Sequence, residues 1–232
     1  MRPWYHQFST LGIRTPQFVS GNYRSNQLCK DEFVLPMIRE AMEKLSNESS
    51  RSLHIVDLFA ADSYYGFHAL TMHENSTLTA VDLLQNSGEG AKRTYVSEQA
   101  ILISKLLGKE NKFRFLEMSV FDFNENADFI INTGGLYHIE NPELLLSQLN
   151  NICRGIMVLQ TVTHEDKNAK SFFETPAPNW TRGSRFSVRY LHETLKRTGW
   201  EILDERFSVL DGNTDPKDRG SIFMICRPNS KS

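Results

Sequence analysis

Short segments of this 232-residue chain carry the residue types that do chemistry. Asn132-Thr133-Gly134-Gly135-Leu136-Tyr137-His138 sets two glycines, which let backbone approach a ligand closely, just ahead of a phenol and an imidazole. Asp57-Leu58-Phe59-Ala60-Ala61-Asp62-Ser63-Tyr64 ends an apolar run in an acid and a turn. Asp82 ends a second apolar run 25 residues later, about the separation at which an acid bonds ribose hydroxyls in nucleotide-binding folds; a helix-capping acid reads the same way. Met118-Ser119-Val120-Phe121 offers an apolar side chain for an adenine face and a polar group for its exocyclic nitrogen, although an ordinary turn has the same composition. His138 and His6 are the candidate bases, because neutral imidazole accepts a proton near pH 7. Each has a structural alternative: a hydrogen bond that holds the Tyr137 turn, and simple packing of the N-terminal segment.

Elements must exist to bring these segments together. Leu53 to Phe59, Thr77 to Leu83, Phe113 to Met118, Asp128 to Asn132 and Ile156 to Thr161 read as short apolar strands. Between them lie helix-like stretches from about Tyr64 to His73 and Gly90 to Leu107. A third begins at Asn141-Pro142-Glu143, which supplies an N-cap, a proline at the first helical position and an acid in the first turn. Phe186 to Thr198 is a further helix stopped by Gly199, and Glu201 to Leu210 and Ser221 to Cys226 are two last strands. Ser46 to Ser52 is a polar helix-to-strand connection. This alternation predicts an α/β fold: a doubly wound, mostly parallel seven-stranded sheet with helices on both faces and an antiparallel edge hairpin. Ligands of such sheets sit outside the carboxyl ends of the strands, where the strand order reverses. The chemistry-bearing segments all fall at strand ends.

Composition excludes other classes. Lys plus Arg number 26 against 28 Asp plus Glu, so no global positive field draws the chain to nucleic acid; Arg182, Arg185 and Arg189 are the one local basic cluster. Cys29, Cys153 and Cys226 have no metal or disulfide spacing and read as reduced thiols, and no metal site is expected. No stretch approaches the roughly 20 apolar residues of a membrane span. The N-terminus lacks an apolar signal stretch, so the expected location is cytoplasmic.

Gly134-Gly135-Leu136-Tyr137-His138 followed by Asn141-Pro142 resembles the G-x-L-Y-H, x-x-P signature of one branch of the class I S-adenosylmethionine-dependent methyltransferases. That branch contains the tRNA wobble-uridine (5-oxyacetic acid) carboxymethyltransferases. Trp4-Tyr5-His6 with Gly12 and Thr15-Pro16 is similar to its W-Y-H, T-P-G opening, with Gln17 in place of the last glycine. Arg219 to Pro228 matches its final strand. The resemblance covers residues 51–228 as the methyltransferase domain, with residues 1–50 as an N-terminal helical cap on the substrate side.

The resemblance implies S-adenosylmethionine as cofactor and S-adenosylhomocysteine as product. It places Asp57, Phe59, Ala60, Asp62 and Tyr64 in the first cofactor loop, Asp82 and Leu83 at the ribose, Ser119, Val120 and Phe121 at the adenine, and Thr133, Gly134 and Tyr137 beside the methionine portion. Tyr23 and Lys30 align with residues that close over the cofactor. Arg219 aligns with an arginine that, with Tyr137, grips a carboxylate on the cofactor of carboxymethyl-transferring members. A lysine that completes that grip has no counterpart here, so carboxy-S-adenosylmethionine is the lesser expectation. Trp4, Tyr5, His164, Trp180 and Arg185 are the acceptor-side candidates; for His164 an acidic solvated loop is the alternative. The family has glycines where this chain has Phe59 and Ser63, which opens two readings: a reshaped working loop or a silent binding subunit. The expected activity is O-methylation of a small or carrier-linked acceptor such as a sugar or natural-product intermediate. The balanced charge ranks tRNA behind it.

Overall fold

A computed structural model describes residues 4–15, 21–48, 51–84, 94–174 and 183–229. Helix α1 (Gly21–Glu48) leads into β1 (His54–Leu58), α2 (Tyr64–Met72), β2 (Thr77–Asp82), α3 (Thr94–Leu106), β3 (Phe113–Glu117) and β4 (Ala127–Thr133). There follow α4 (Pro142–Ile152), β5 (Cys153–Thr163), β6 (Phe172–Glu174), β7 (Gly183–Arg185), α5 (Val188–Arg197), β8 (Trp200–Val209), α6 (Pro216–Arg219) and β9 (Gly220–Pro228). Seven strands form one sheet in the order β3-β2-β1-β4-β5-β9-β8. The first five are parallel, and β9 inserts antiparallel between β5 and β8. The chain winds outward from β1 through β2 to β3, then returns to the other side of β1 with β4. The switch point therefore lies at the carboxyl ends of β1 and β4.

Alternation along the strands divides the core. Ile55, Phe129, Ile131 and Val158 face α1, α2 and α3, while Val56, Leu58, Ile130, Met157 and Leu159 face α4 and α5. Helix α1 is part of the first layer: Val34, Met37, Ile38, Ala41 and Met42 are buried in the same cluster as Phe67 and Ile131. What lies over the sheet end is the segment 4–11, whose Trp4 and Phe8 pack edge-to-face at 5.9 Å.

Local signals set the ends of the helices. The Asn141 side chain accepts from Leu144 N–H at 3.0 Å to open α4, and Ser187 accepts from Tyr190 N–H at 3.2 Å to open α5. That serine cap starts α5 two residues later than the apolar pattern predicts. The polar connection expected from Ser46 is shorter, because α1 continues through Glu48. Of the helix expected from Gly90, the part before residue 94 lies outside the described residues.

The long insertion after β5 contains an antiparallel pair, β6 and β7, that the sequence reading leaves as loop. Ser184 Oγ ties it to the Ile139 carbonyl at 2.6 Å, so the insertion is docked on the turn that follows β4. No described helix is long and apolar enough to cross a membrane.

Candidate active site at the sheet's switch point

The turn from β1 into α2 has an unusual backbone. Phe59, Ala61 and Ser63 stand at φ of 54°, 47° and 56°, a left-handed conformation that costs L-residues about 1 to 2 kcal/mol each. The resemblance flagged Phe59 and Ser63; Ala61 is a third alternate position with the same shape, and its small size hid it in the sequence. The chain thus keeps a glycine-type turn without the glycines. Hydrogen bonds hold it: Ala61 N–H donates to Asp82 Oδ2 at 2.9 Å, and Ser63 Oγ to Asp57 Oδ2 at 2.8 Å.

Gly134, at φ 74°, closes β4 opposite this turn. Between them lies a small cavity of about 30 Å³ lined by Tyr5, His6, Lys30, Asp57, Phe59, Ala60, Ala61, Tyr65, Thr133 and Gly134. The expected site residues Tyr5, His6, Lys30, Asp57, Phe59, Ala60, Thr133 and Gly134 are therefore brought together. Sequence reasoning missed Ala61 and Tyr65 as lining residues, and also Asp31 and Gln160 behind them.

Two polar groups lie on the side of Gly134 where a side chain would project. A Cβ built there would lie 3.6 Å from Lys30 Nζ and 3.9 Å from Gln160 Oε1. Lys30 forms no ion pair or hydrogen bond among the described residues, and burial pushes its ammonium below the usual lysine range against the opposing pull of Asp31 and Cys29. The neighbouring Asp31 carboxylate is taken by Tyr65 Oη at 2.9 Å and Tyr64 Oη at 3.1 Å. Gln160 is fully buried; its Nε2 donates to Ser221 Oγ at 2.9 Å while Oε1 has no partner. A glutamine directly after the apolar run Ile156 to Leu159, inside the same strand, was the available sequence signal.

Asp57 sits beneath the turn, 2% exposed, and its Oδ2 also accepts Gly66 N–H at 3.2 Å. Burial pushes its carboxyl up to about 8; the Ser63 and Gly66 hydrogen bonds oppose the shift, and the charges of Asp62 and Asp82 add to it. With the folded value above the usual 3.8, the folded state keeps a proton that the unfolded chain releases. Stability then falls as pH rises from about 4 to about 8, by up to about 1.4 kcal/mol per pH unit from this group, and levels off above. Asp57→Asn keeps a carbonyl oxygen for both hydrogen bonds and removes the titration. Urea unfolding at several pH values should therefore give a flatter stability profile for Asp57→Asn than for the wild type; parallel profiles would show Asp57 to be ionised throughout.

Other expectations are redirected. Asp62 does not line the cavity and binds His6, with Oδ2 accepting the backbone N–H at 2.9 Å and Oδ1 facing Nδ1 at 2.6 Å. Tyr64 stacks on the His6 ring, centroids 4.9 Å apart. Both Asp82 oxygens accept backbone N–H groups, from Ala61 and from Leu84 at 2.7 Å, so Asp82 also braces the loop itself. Leu83 is exposed, Val120 is buried in the α4/α5 side of the core, and Phe121, half-buried, packs against that cluster. Ser119 Oγ accepts Phe121 N–H at 3.3 Å, a turn contact.

Trp4 is a core residue, 6% exposed, rather than an acceptor contact: with Phe8 it anchors the N-terminal strap, residues 4–11, in the cluster that α1 and α2 share. Tyr137 and His138 tilt against each other, centroids 4.3 Å apart, and neither lines the cavity. His164 is bound within its own loop, Nδ1 accepting Asp166 N–H at 2.9 Å.

Arg219 pairs with Glu165 at 3.3 Å on the surface and does not line the cavity. Of the expected basic cluster, Arg185 is buried at 2% exposure and Arg189 pairs with Glu193 along α5. Trp180 and Arg182 lie outside the described residues, as does the side chain of Tyr23. Among the described residues no group of three His, Cys, Asp or Glu could hold a metal ion.

A family model described as a methyltransferase domain matches residues 61–205. The chain belongs to this methyltransferase family. No curated protein sequence matches it. Among solved structures, this methyltransferase is similar to the N-terminal domain of EvdMO1 with SAH bound, at TM-score 0.69 and 16% identity over 98% of this chain and 92% of that one. It is also similar to the Burkholderia thailandensis 1,6-didemethyltoxoflavin-N1-methyltransferase with bound 1,6-didemethyltoxoflavin and S-adenosylhomocysteine, at TM-score 0.59 and 16% identity over 94% of each chain. A third, the [4+2]-cyclase SpnF, matches at TM-score 0.58 and 11% identity over 82% of this chain and 81% of that one. At these identities the likeness is one of fold, and a cyclase among the three shows that the fold alone does not name the reaction.

Proposed function

We propose that this methyltransferase binds S-adenosylmethionine at the β1/β4 crevice and methylates a hydroxyl of a small or carrier-linked acceptor. The observation that carries the reading is the pair of polar groups beside Gly134: an ammonium and a buried carbonyl oxygen, both without a partner among the described residues. A zwitterionic α-amino acid end complements that pair, its carboxylate toward Lys30 and its ammonium toward Gln160 Oε1, with Gly134 allowing close approach. The residues present thus fit the methionine portion of the cofactor. A cavity of about 30 Å³ holds roughly one water, so the crevice must widen when the cofactor binds.

Bound S-adenosylmethionine supplies an electrophilic methyl group whose C–S electron pair remains on sulfur. The chain's own work is to orient the acceptor, exclude water and take the acceptor's proton. Of the two expected bases, His6 borders the crevice and His138 does not, which favours His6 and an oxygen acceptor. The nearly balanced charge, 26 Lys plus Arg against 28 Asp plus Glu, supports a small acceptor over tRNA. The small cavity and the bracing of Asp82 by backbone favour, as second reading, a silent subunit that binds no cofactor.

Calorimetry with S-adenosylhomocysteine separates the two: micromolar to sub-millimolar binding is expected, and no heat at millimolar concentration would leave only the silent subunit. Transfer of labelled methyl to a metabolite extract, unchanged by ribonuclease, is expected for a small acceptor. Label confined to purified tRNA would overturn that choice.

A further inference from the structure

The contact between the strap and the cofactor loop has a chemical consequence beyond holding the strap down. His6 presents two hydrogen-bonding groups to one carboxylate: its backbone N–H to Asp62 Oδ2 at 2.9 Å and its ring Nδ1 to Asp62 Oδ1 at 2.6 Å. Asp62 is fully buried and His6 is 7% exposed. A carboxylate only accepts, so Nδ1 carries the proton, and in the neutral ring the lone pair is then on Nε2. No hydrogen bond engages Nε2 among the described residues, and the ring borders the crevice beside Phe59, Thr133 and Gly134. Tyr64 stacks on the ring, while Tyr5 and Tyr65 meet it edge-on at 4.7 and 5.7 Å, so its rotamer is fixed. The left-handed residues on either side of Asp62, Ala61 and Ser63, turn its carboxylate inward toward the strap.

We propose that Asp62 is a positioning residue: it selects the Nδ1–H tautomer of His6 and aims Nε2 into the crevice as the proton acceptor for the substrate hydroxyl. The inference rests on the functional reading above. In the transfer, the hydroxyl proton moves to Nε2, the oxygen's electron pair forms the new C–O bond, and the C–S pair leaves with sulfur. The imidazolium that forms shares its Nδ1 proton with Asp62, whose negative charge faces it directly.

Asp62→Asn is a sharp test because it offers only one acceptor where two are used. The His6 backbone N–H can only donate, so it claims Oδ1. The amide N–H₂ then faces Nδ1, which must accept, and the proton moves to Nε2. Long-range ¹H–¹⁵N spectra of the full chain should show His6 as the Nδ1–H tautomer in the wild type and as the Nε2–H tautomer in Asp62→Asn.

Diethyl pyrocarbonate, which acylates an imidazole nitrogen bearing a lone pair, should modify His6 about tenfold more slowly in the variant. An Nε2–H tautomer in the wild type, or equal acylation of the two proteins, overturns the dyad, and the wild-type spectrum decides even if the variant fails to fold. Absence of S-adenosylhomocysteine binding by the wild type instead overturns the functional reading, whatever the tautomer.

Discussion

Lys30→Met should weaken S-adenosylhomocysteine binding roughly 10- to 150-fold, the loss of about 1.5 to 3 kcal/mol that a charge-assisted hydrogen bond supplies. The argument starts from what Lys30 lacks. Its ammonium has no counter-ion or hydrogen bond among the described residues, burial already disfavours its charge, and the nearest acid, Asp31, is committed to Tyr64 and Tyr65. An unpaired buried cation destabilises a fold unless something anionic completes it. Methionine matches the stem of lysine and removes the charge, so the thermal midpoint of the unliganded variant should be equal to or above that of the wild type. Calorimetry and thermal melts measure the two effects separately. Unchanged affinity would mean that the carboxylate end of the ligand lies elsewhere; a lowered midpoint with unchanged affinity would make Lys30 a purely structural residue.

Gly135→Ala should destabilise the protein by about 1 to 3 kcal/mol, or roughly 2 to 4 °C of midpoint per kcal/mol, for a reason that involves one partner. Gly135 has an ordinary φ of −116°, so the backbone itself tolerates alanine. The obstacle is the Phe59 ring, which occupies the space where a Cβ would stand. Phe59 is held at φ 54° and packs against the α4/α5 side of the core, so it has little freedom to retreat. Shortening that ring in the same protein, as Phe59→Ala/Gly135→Ala, should recover most of the loss. A double-mutant cycle on urea midpoints reads the coupling directly. Additive losses would place the ring away from Gly135 and would undo the account of the turn.

The elements of the sheet were legible because their signals are local. Asn141-Pro142-Glu143 fixes the start of α4 within one turn of chain, and the runs ending at Phe59, Leu83 and Asn132 mark three strands within one residue of their observed ends at Leu58, Asp82 and Thr133. The β6/β7 pair was not legible, since three-residue strands carry no periodicity and their pairing depends on docking against the turn at Ile139. Among site residues, Gly134, Lys30, Asp57 and His6 were reached from motif and resemblance. Gln160 and Asp31 were not, because a polar residue in a strand or helix becomes part of a site only when the fold turns it toward one.

By itself the sequence determined the α/β alternation, the seven strands, the family-like segments at the strand ends and a balanced charge without an electrostatic demand for nucleic acid. All of these follow from period, cap and composition, which act over a few residues. Only the tertiary structure decided what the polar residues face. It turned Asp62 from a cofactor contact into the partner of His6, 56 residues away; it set an unpaired Lys30 opposite Gly134, and it sent Arg219 and Trp4 away from the site. Hydrogen bonds and ion pairs act over a few ångströms, and which groups come that close is fixed by strand order and helix packing.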